Sequence, residues 1–234
     1  MKLCRNWINK YVSSFIFPCI CVHCNKKNEN SLRILCADCL SDLHILQKAG
    51  RCDGCFSVLN EKESCSVCQS EYRLYEKLAF VFEDDDILRS LLNSYHQKNR
   101  IDIAKVVASF LVIQWFNLYE GYPDFILWIS HHGDHLYPKR DQLMNLVAEH
   151  MSEMMFMKKK STLKTKVSFV KTIQPYQIKE KIFTVSDPIS IKDKKILLID
   201  DIFDADKLLI KGAEALEACS PSKIYLLSFC SSSF

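Results

Sequence analysis

Four CxxC pairs lie near the start of the chain, and they constrain its fold more than any other feature of the sequence. Two thiolates separated by two residues can hold one tetrahedral zinc ion from a single tight turn, and a second pair completes four sulfur ligands. Eleven residues separate the first two pairs and nine separate the last two, and each interval suits a short β-hairpin. The predicted ligands of two structural zinc ions are Cys21, Cys24, Cys36, Cys39, Cys52, Cys55, Cys65 and Cys68.

Two connectivities are compatible with this spacing. The simplest prediction is two sequential zinc ribbons, one built from the first two pairs and one from the last two. In the interleaved alternative the first pair shares an ion with the third, and the second shares one with the fourth. Disulfides are a further alternative, but repeated CxxC pairs in a chain without a clear secretion signal favour metal.

The N-terminus has Lys2 and Arg5 ahead of a short apolar patch, as a signal peptide does. Ser13, Ser14 and Pro18 interrupt that patch, which favours an amphipathic helix leading into the cysteine pairs. No stretch approaches the roughly 20 apolar residues that a membrane helix needs. We therefore expect a cytoplasmic protein without stable membrane insertion.

Strand-like and helical patterns alternate after the cysteine pairs. Strands are predicted at residues 77–82, 124–130, 166–170, 194–200 and 223–230, and helices are predicted from Asp86, Ile101, Arg140 and Asp206. Parallel neighbours need crossover connections, so this alternation predicts an α/β fold with a mostly parallel sheet. Ligands gather at the carboxyl ends of the strands in such sheets, which places residues 130–135 and 200–206 at one edge. The predicted domains are residues 1–70 and residues 71–234.

Three regions of the sequence, the first of them made of four short stretches, carry a resemblance to a known family. "FPCICVHC", "LCADCL", "RCDGC" and "CSVC" match, in order, the N-terminus of the ComF family, whose competence-associated proteins join zinc-binding cysteines to a type I phosphoribosyltransferase-like domain. "PDFILWISHHGDHLYPKRDQLMNLVAEHM" lies where that family has a strand, a pyrophosphate loop and an arginine-glycine-aromatic-asparagine-glutamine stretch. "KKILLIDDIFDADKLL" falls on its strand, paired acids and phosphoribosyl-pyrophosphate loop. The sequence resembles the family over nearly the whole chain.

The resemblance implies a site for phosphoribosyl pyrophosphate, with Mg²⁺ as its cofactor and Asp200 and Asp201 on the ribose hydroxyls. The loop around the 5′-phosphate normally offers backbone N–H groups, threonine hydroxyls and a glycine, whereas Asp204 and Asp206 stand there in this chain. Two carboxylates about 4 to 6 Å from a phosphate dianion repel it by several kcal/mol at an effective dielectric constant near 20. The candidate ligand-binding residues are Asp200, Asp201, Asp204, Lys207, Ser130 and His132, and the first two are also the candidate catalytic residues.

Other interpretations of these residues remain open. The acids between Asp200 and Asp206 can cap the helix that follows, or can hold Mg²⁺. "HHGDH" contains three histidines and a carboxylate that would suit a metal on a helix, but Gly133 favours a loop. His132 aligns with a histidine common in the family's loop. The altered pyrophosphate and phosphate loops together lead us to expect a catalytically degenerate domain.

A lysine-rich segment follows the predicted helix from Arg140. Eight lysines against one acid lie between residues 155 and 181, although the net charge of the chain is only +3. Such a segment can track a nucleic-acid backbone, and a solvated flap is the other interpretation. The candidate residues for contact with single-stranded DNA are Lys158, Lys159, Lys160, Lys164 and Lys166.

Three functional hypotheses follow from these patterns. The leading one is a ComF-like accessory protein of DNA uptake and natural transformation, in which the phosphoribosyltransferase-like domain is a binding scaffold. The first alternative is a residual or active Mg-dependent phosphoribosyltransferase of nucleotide metabolism. The second is a structural adaptor that docks a helicase-like competence protein.

Overall fold

The computed structural model describes residues 20–28, 34–68, 73–98, 100–130, 140–157, 167–170, 182–185, 189–203 and 208–231. The chain forms two compact units. The first contains Met1–His44 and Asp85–Ile103, and the second contains Ile45–Asp84 and Ala104–Phe234. The two cysteine groups therefore lie in different units. The division into domains at residue 70 stays a prediction.

Two helices form the regular structure described in the first unit. Helix α1 covers Ala37–Ser41, and helix α2 covers Asp86–Lys98. Asp85 caps helix α2, because its Oδ1 accepts hydrogen bonds from the backbone N–H groups of Ile87 (2.7 Å) and Leu88 (3.0 Å). Leu88, Leu91, Leu92 and Tyr95 recur at helical spacing and are all buried, so they form the apolar face of this helix.

The second unit is built on strands that alternate with helices. The strands are β1 (Lys77–Glu83), β2 (Phe125–Ser130), β3 (Val167–Val170), β4 (Ile182–Val185), β5 (Lys195–Phe203) and β6 (Lys223–Ser231). Between them lie α3 (Ile103–Leu118), α4 (Arg140–Met154), a short 3₁₀ helix (Ile189–Ile191) and α5 (Leu208–Glu217). None of the helices in the described part of the chain has the length and apolar character of a membrane span.

The strands form one sheet in the order β1-β6-β5-β2-β3-β4. Every neighbouring pair is parallel except β3 with β4, which is antiparallel. The prediction of a mostly parallel α/β sheet is confirmed. The central strands are buried on both faces: Ile126 to Ile129 in β2 and Ile196 to Ile199 in β5 are almost inaccessible to solvent. This explains why their sequences are continuous apolar runs.

Aromatic side chains fasten helix α3 to strands β1 and β6. The Phe82 ring meets Phe110 and Phe229 edge to face, with centroids 5.0 and 5.4 Å apart. Nearer the end of the helix, the Trp115 ring stacks on Tyr119 and meets Tyr225 edge to face. These buried and half-buried rings explain why helix α3 is apolar on more than one face.

Two strands differ from the sequence-based predictions. Strand β4 was not predicted, and its four residues lie directly after the lysine-rich segment. Strand β5 runs three residues further than predicted, since Ile202 and Phe203 still pair with Cys230 and Ser231 of β6. Aspartate is rare inside strands, so the sequence pattern alone ended β5 too early.

Candidate functional site

Two clusters of four cysteines are the most clearly formed candidate sites. Within each cluster all four Sγ atoms lie within 4.8 Å of one another. The first group contains Cys21, Cys24, Cys36 and Cys39, and the second group contains Cys52, Cys55, Cys65 and Cys68. The predicted sequential pairing is confirmed, and the interleaved alternative is wrong.

The spacing of the sulfurs fits a tetrahedral ion. Zinc–sulfur bonds of about 2.3 Å place the sulfurs about 3.8 Å apart along each edge of a tetrahedron. The measured Sγ–Sγ distances include 3.6 Å from Cys24 to Cys36 and 3.5 Å from Cys55 to Cys65. A disulfide bond is near 2.0 Å, so the cysteines of these two groups are not joined by disulfides. Four sulfur ligands leave no open position, so both groups suit structural zinc.

The first CxxC pair of each group forms the same backbone turn, which we call the knuckle. The N–H of its first cysteine donates to the carbonyl five residues on, and its carbonyl accepts from the N–H four residues on. The residue four positions after that cysteine has a positive φ, 58° at Asn25 and 61° at Phe56. The hydrogen bonds are Cys21 N to Lys26 O (3.0 Å), Asn25 N to Cys21 O (3.1 Å), Cys52 N to Ser57 O (2.9 Å) and Phe56 N to Cys52 O (3.0 Å).

Hydrogen bonds from the backbone prepare one sulfur of each group to ionise. Burial opposes ionisation of Cys21, but N–H groups of Cys36 and of its own turn outweigh burial and lower the Cys21 pKa to about 6. The pKa of Cys65 falls to about 7, again against burial, through the backbone at Cys68. Burial and the neighbouring sulfurs raise the pKa values of Cys39 and Cys68. The raised pKa values mean that ionising these two thiols costs free energy. A bound cation offsets this cost because its charge compensates the charges of the neighbouring thiolates.

The second group is built into the sheet unit. The carbonyl of Gly54 accepts a hydrogen bond of 2.7 Å from the backbone N–H of Leu78 in strand β1. The Phe56 ring packs edge to face on Phe80 of the same strand, with centroids 6.2 Å apart. Further links to strand β1 are Leu46 N to Val81 O (2.9 Å) and Arg51 Nη2 to Glu83 Oε1 (2.7 Å). The knuckle of this group is therefore part of the framework that carries strand β1.

The first group makes its described contacts inside the smaller unit. His23, between the two cysteines of its knuckle, has Nδ1 3.1 Å from Ser90 Oγ on helix α2. The backbone N–H of Val22 donates to Ile34 O at 3.1 Å. These contacts tie the first knuckle to helix α2 and to the segment that leads into its second cysteine pair.

Two adjacent aspartates lie at the carboxyl edge of the sheet. Asp200 and Asp201 are the sixth and seventh of the nine residues of strand β5 and are fully buried. Asp200 Oδ1 accepts a hydrogen bond of 2.9 Å from the backbone N–H of Asp201. Strand β2 ends on the same edge, because Trp128 pairs with Ile199 and both strands run on in parallel from that point. Ser130 and Asp201 each lie two residues beyond this pair, so both are at the edge where such sheets hold ligands.

The remaining predicted site residues lie outside the described residues. They are His132, Asp204 and Lys207 of the candidate phosphate site, and the five lysines Lys158, Lys159, Lys160, Lys164 and Lys166. Their roles stay predictions.

One contact of the second group was missed in the sequence. Arg73 Nη1 lies 3.7 Å from Cys68 Sγ and can donate a hydrogen bond to it. The guanidinium occupies the space that a side chain on Gly54 would fill. The sequence feature that could have indicated this contact is Gly54, between the two cysteines of a CxxC pair. A glycine has no side chain, so another group can approach its backbone closely.

Among the comparisons with known proteins, only the comparison with solved structures gave matches. No family model and no curated protein matches the sequence. The hypoxanthine phosphoribosyltransferase of Trypanosoma cruzi matches with a TM-score of 0.35 and 11% identity over 53% of this chain, and the chain covers 60% of its length. The hypoxanthine-guanine phosphoribosyltransferase of Bacillus anthracis matches with a TM-score of 0.35 and 14% identity. This match covers 53% of this chain and 63% of the Bacillus anthracis chain. The purine phosphoribosyltransferase of Pyrococcus horikoshii matches with a TM-score of 0.33 and 18% identity. This match covers 64% of this chain and 76% of the Pyrococcus horikoshii chain. The assignment of the fold rests on the observed strand order and pairing.

Proposed function

We propose that this chain is a ComF-like accessory protein of DNA uptake, with two structural zinc ions and a phosphoribosyltransferase-like domain that serves as a binding scaffold. The observation that carries the proposal is the combination, in one chain, of two closed Cys4 groups with an acidic pair at the carboxyl edge of a parallel sheet. A zinc ion with four sulfur ligands has no position for substrate, so the metal groups suit structure and docking. The protein acts in the cytoplasm on single-stranded DNA, beside a helicase-like partner.

The scaffold role rests on the chemistry of the loop after strand β5. The acidic pair keeps the position from which ribose hydroxyls can be held. The next residues, Asp204 to Lys207, contain two acids and no glycine or hydroxyl group. A phosphate needs N–H and hydroxyl donors at this position, and carboxylates repel it. The edge therefore suits a sugar hydroxyl better than a phosphoribosyl substrate with a 5′-phosphate.

Calorimetric titration with phosphoribosyl pyrophosphate and Mg²⁺ tests this step. We expect no micromolar binding to the zinc-loaded protein. Micromolar binding that Asp201→Asn abolishes would contradict the scaffold proposal and support a transferase. Asp200→Asn is the matched variant, and near-UV circular dichroism from the buried Trp115 and Trp128 checks that both variants are folded.

The DNA role is tested by titrating a labelled single-stranded oligonucleotide at several salt concentrations. We expect binding that weakens with salt, and a triple neutralisation of Lys158, Lys159 and Lys160 that reduces the log–log salt slope by about two. The matched control neutralises Lys192, Lys194 and Lys195, three exposed lysines within four residues. An equal loss of DNA affinity in both triple variants would overturn the DNA role. Binding whose affinity does not change with salt concentration would overturn it as well.

A residual Mg-dependent phosphoribosyltransferase is the second candidate. It is favoured by the shared position of Ser130 and Asp201 at one edge of the sheet. Pyrophosphate release from phosphoribosyl pyrophosphate, measured with a panel of nucleobases, separates it from the scaffold. Turnover that depends on Mg²⁺ and is lost in Asp201→Asn would establish this activity.

A further inference from the structure

Each sulfur of the second cysteine group has a hydrogen-bond partner. The backbone N–H of Gly54 donates to Cys52 Sγ at 3.3 Å, and that of Cys68 donates to Cys65 Sγ at 3.3 Å. The Ser57 hydroxyl lies 3.2 Å from Cys55 Sγ. The partner of Cys68 differs in kind, because it is the charged guanidinium of Arg73 at 3.7 Å.

The position of Arg73 depends on a missing side chain. A methyl group placed on Gly54 would overlap Arg73 Nη1. The φ of Gly54 is not positive, so alanine is compatible with its backbone. The overlap would involve the far end of a flexible side chain, and Gly54→Ala would therefore move Arg73 away and leave the fold intact. At the same position of the first knuckle stands His23, whose ring points to Ser90.

Cys68 and Arg73 also line a cavity of about 580 Å³ at the amino end of strands β1 and β6. Tyr75, Glu76 and Lys223 form part of its wall. A solute in this cavity can therefore come close to both Cys68 and Arg73. The metal ligand next to the cavity is thus the one that carries a cationic partner.

We propose that Arg73 is a positioning residue of the second metal group, which holds the Cys68 thiolate on zinc and slows its exchange with competing ligands. Four thiolates around Zn²⁺ leave about two negative charges, and a guanidinium donor to one sulfur lowers the electron density there. The guanidinium charge also offsets part of this negative charge and reduces the repulsion between the Cys68 thiolate and the other three, so Cys68 leaves the metal more slowly. Outer partners of this kind change metal affinity by about 10- to 100-fold in other sites.

Zinc transfer from the full-length protein to an excess of a chromophoric chelator tests the proposal. We expect release in two phases, one for each group, with the second-group phase about 10-fold faster in Arg73→Ala. Gly54→Ala should accelerate the same phase, and the double variant should be no faster than either single variant, since both remove one contact. Arg73→Lys should restore part of the effect because the charge remains. Lys62→Ala is the matched control, since it removes an exposed cation from the same ribbon.

Cobalt substitution gives a readout that a purely structural role would not move. Loss of a hydrogen bond to a ligating sulfur raises its donor orbital, so the thiolate-to-cobalt charge-transfer band should shift to longer wavelength in Arg73→Ala and Gly54→Ala, and not in Lys62→Ala. Release rates of Arg73→Ala within twofold of the unmodified protein would overturn the proposal, as would additive effects in the double variant. Should Gly54→Ala fail to fold, the two Arg73 variants and the cobalt spectra decide the question.

Discussion

The first and second cysteine groups begin with the same knuckle but belong to different compact units. Both knuckles share two backbone hydrogen bonds, a positive φ at the same position and a flanking antiparallel bridge. Their side chains differ at each position outside the cysteines. The first knuckle carries Ile20, His23 and Asn25, where the second carries Arg51, Gly54 and Phe56.

The difference separates two roles that a zinc ribbon can have. Phe56 is almost fully buried, while Asn25 at the equivalent position is exposed. The second knuckle also shares a backbone hydrogen bond with strand β1, through Gly54 and Leu78. The cysteines thus determine metal binding in both groups, whereas the intervening residues determine what each group supports. The second group supports the sheet, and the described hydrogen bonds of the first group join residues of the smaller unit.

Replacing one cysteine in each group should give the largest difference between the two groups in the stability of the sheet unit. Cys52→Ser removes a ligand and the ion that closes the second group, so we expect the sheet unit to lose about 4 kcal/mol or more of its free energy of unfolding. Cys21→Ser should leave that unit unchanged, because the hydrogen bonds described for the first group join residues of the smaller unit. Near-UV circular dichroism during thermal unfolding follows Trp115 and Trp128, which are both buried in the sheet unit.

Zinc content is the control for this comparison. Each variant should retain one of two zinc ions, measured by elemental analysis of the purified protein. Equal falls in the melting temperature of the sheet unit would show that the two groups do not differ as the structure indicates.

Alanine substitutions at the fourth position after the first cysteine, Asn25 and Phe56, should give the next largest difference in stability between the two groups. Phe56→Ala removes a buried ring that packs on Phe80, which should cost about 3 kcal/mol. Asn25→Ala leaves packing unchanged but places alanine at a positive φ, which should cost about 1 kcal/mol. Urea unfolding of both variants measures the two costs. A larger loss in Asn25→Ala would mean that backbone strain, and not packing, governs this position.

The sequence predicted the two Cys4 groups because their geometry is local. A CxxC pair brings two sulfurs together within one turn, so spacing alone was sufficient to identify all eight cysteines of the groups. Strands β1, β2, β5 and β6 were also predicted, because buried parallel strands appear as continuous apolar runs. Strand β4 was not predicted, because four residues give too short a pattern for a strand to be recognised from periodicity alone. Asp200 was predicted as the last residue of its strand and Asp201 as the first residue after it, although pairing with β6 continues strand β5 beyond both.

Contacts between remote side chains were beyond the sequence pattern. Arg73 reaches Cys68 within its own segment, but its site also requires Gly54, and only the folded turn brings the three together. Arg51 pairs with Glu83 across 32 positions of the chain. No periodicity reports such a pair, because it arises from the packing of the second knuckle on strand β1. Surroundings of a metal site are in this respect harder to predict than its ligands.

The residue just before each knuckle should give a smaller contrast. Arg51 is mostly buried, donates to Phe56 O at 3.2 Å and pairs with Glu83 at 2.7 Å. Arg51→Ala should cost about 1 to 2 kcal/mol, since a hydrogen bond and a half-exposed ion pair are lost together. Ile20→Ala, at the exposed position just before the first knuckle, should cost less than about 0.5 kcal/mol. Chemical denaturation measures both values, and a near-zero cost for Arg51→Ala would show that this link to strand β1 does not stabilise the unit.

The exposed ion pairs beside the two groups should give the smallest contrast. The Lys48 ammonium lies 2.9 Å from Asp53 and holds the pKa of that carboxyl below its usual range, whereas Lys26 and Asp38 are 3.5 Å apart and more exposed. We expect Lys48→Ala to cost at most about 0.5 kcal/mol at neutral pH, and Lys26→Ala to leave the melting temperature unchanged. A lowered carboxyl pKa stabilises the fold above the unfolded pKa, so the cost of Lys48→Ala should vanish as the pH falls through the pKa of Asp53. It should also vanish in 1 M salt. Melting temperatures across pH and salt measure this, and a cost that persists at low pH would mean that the Lys48 side chain acts through packing and not through its charge.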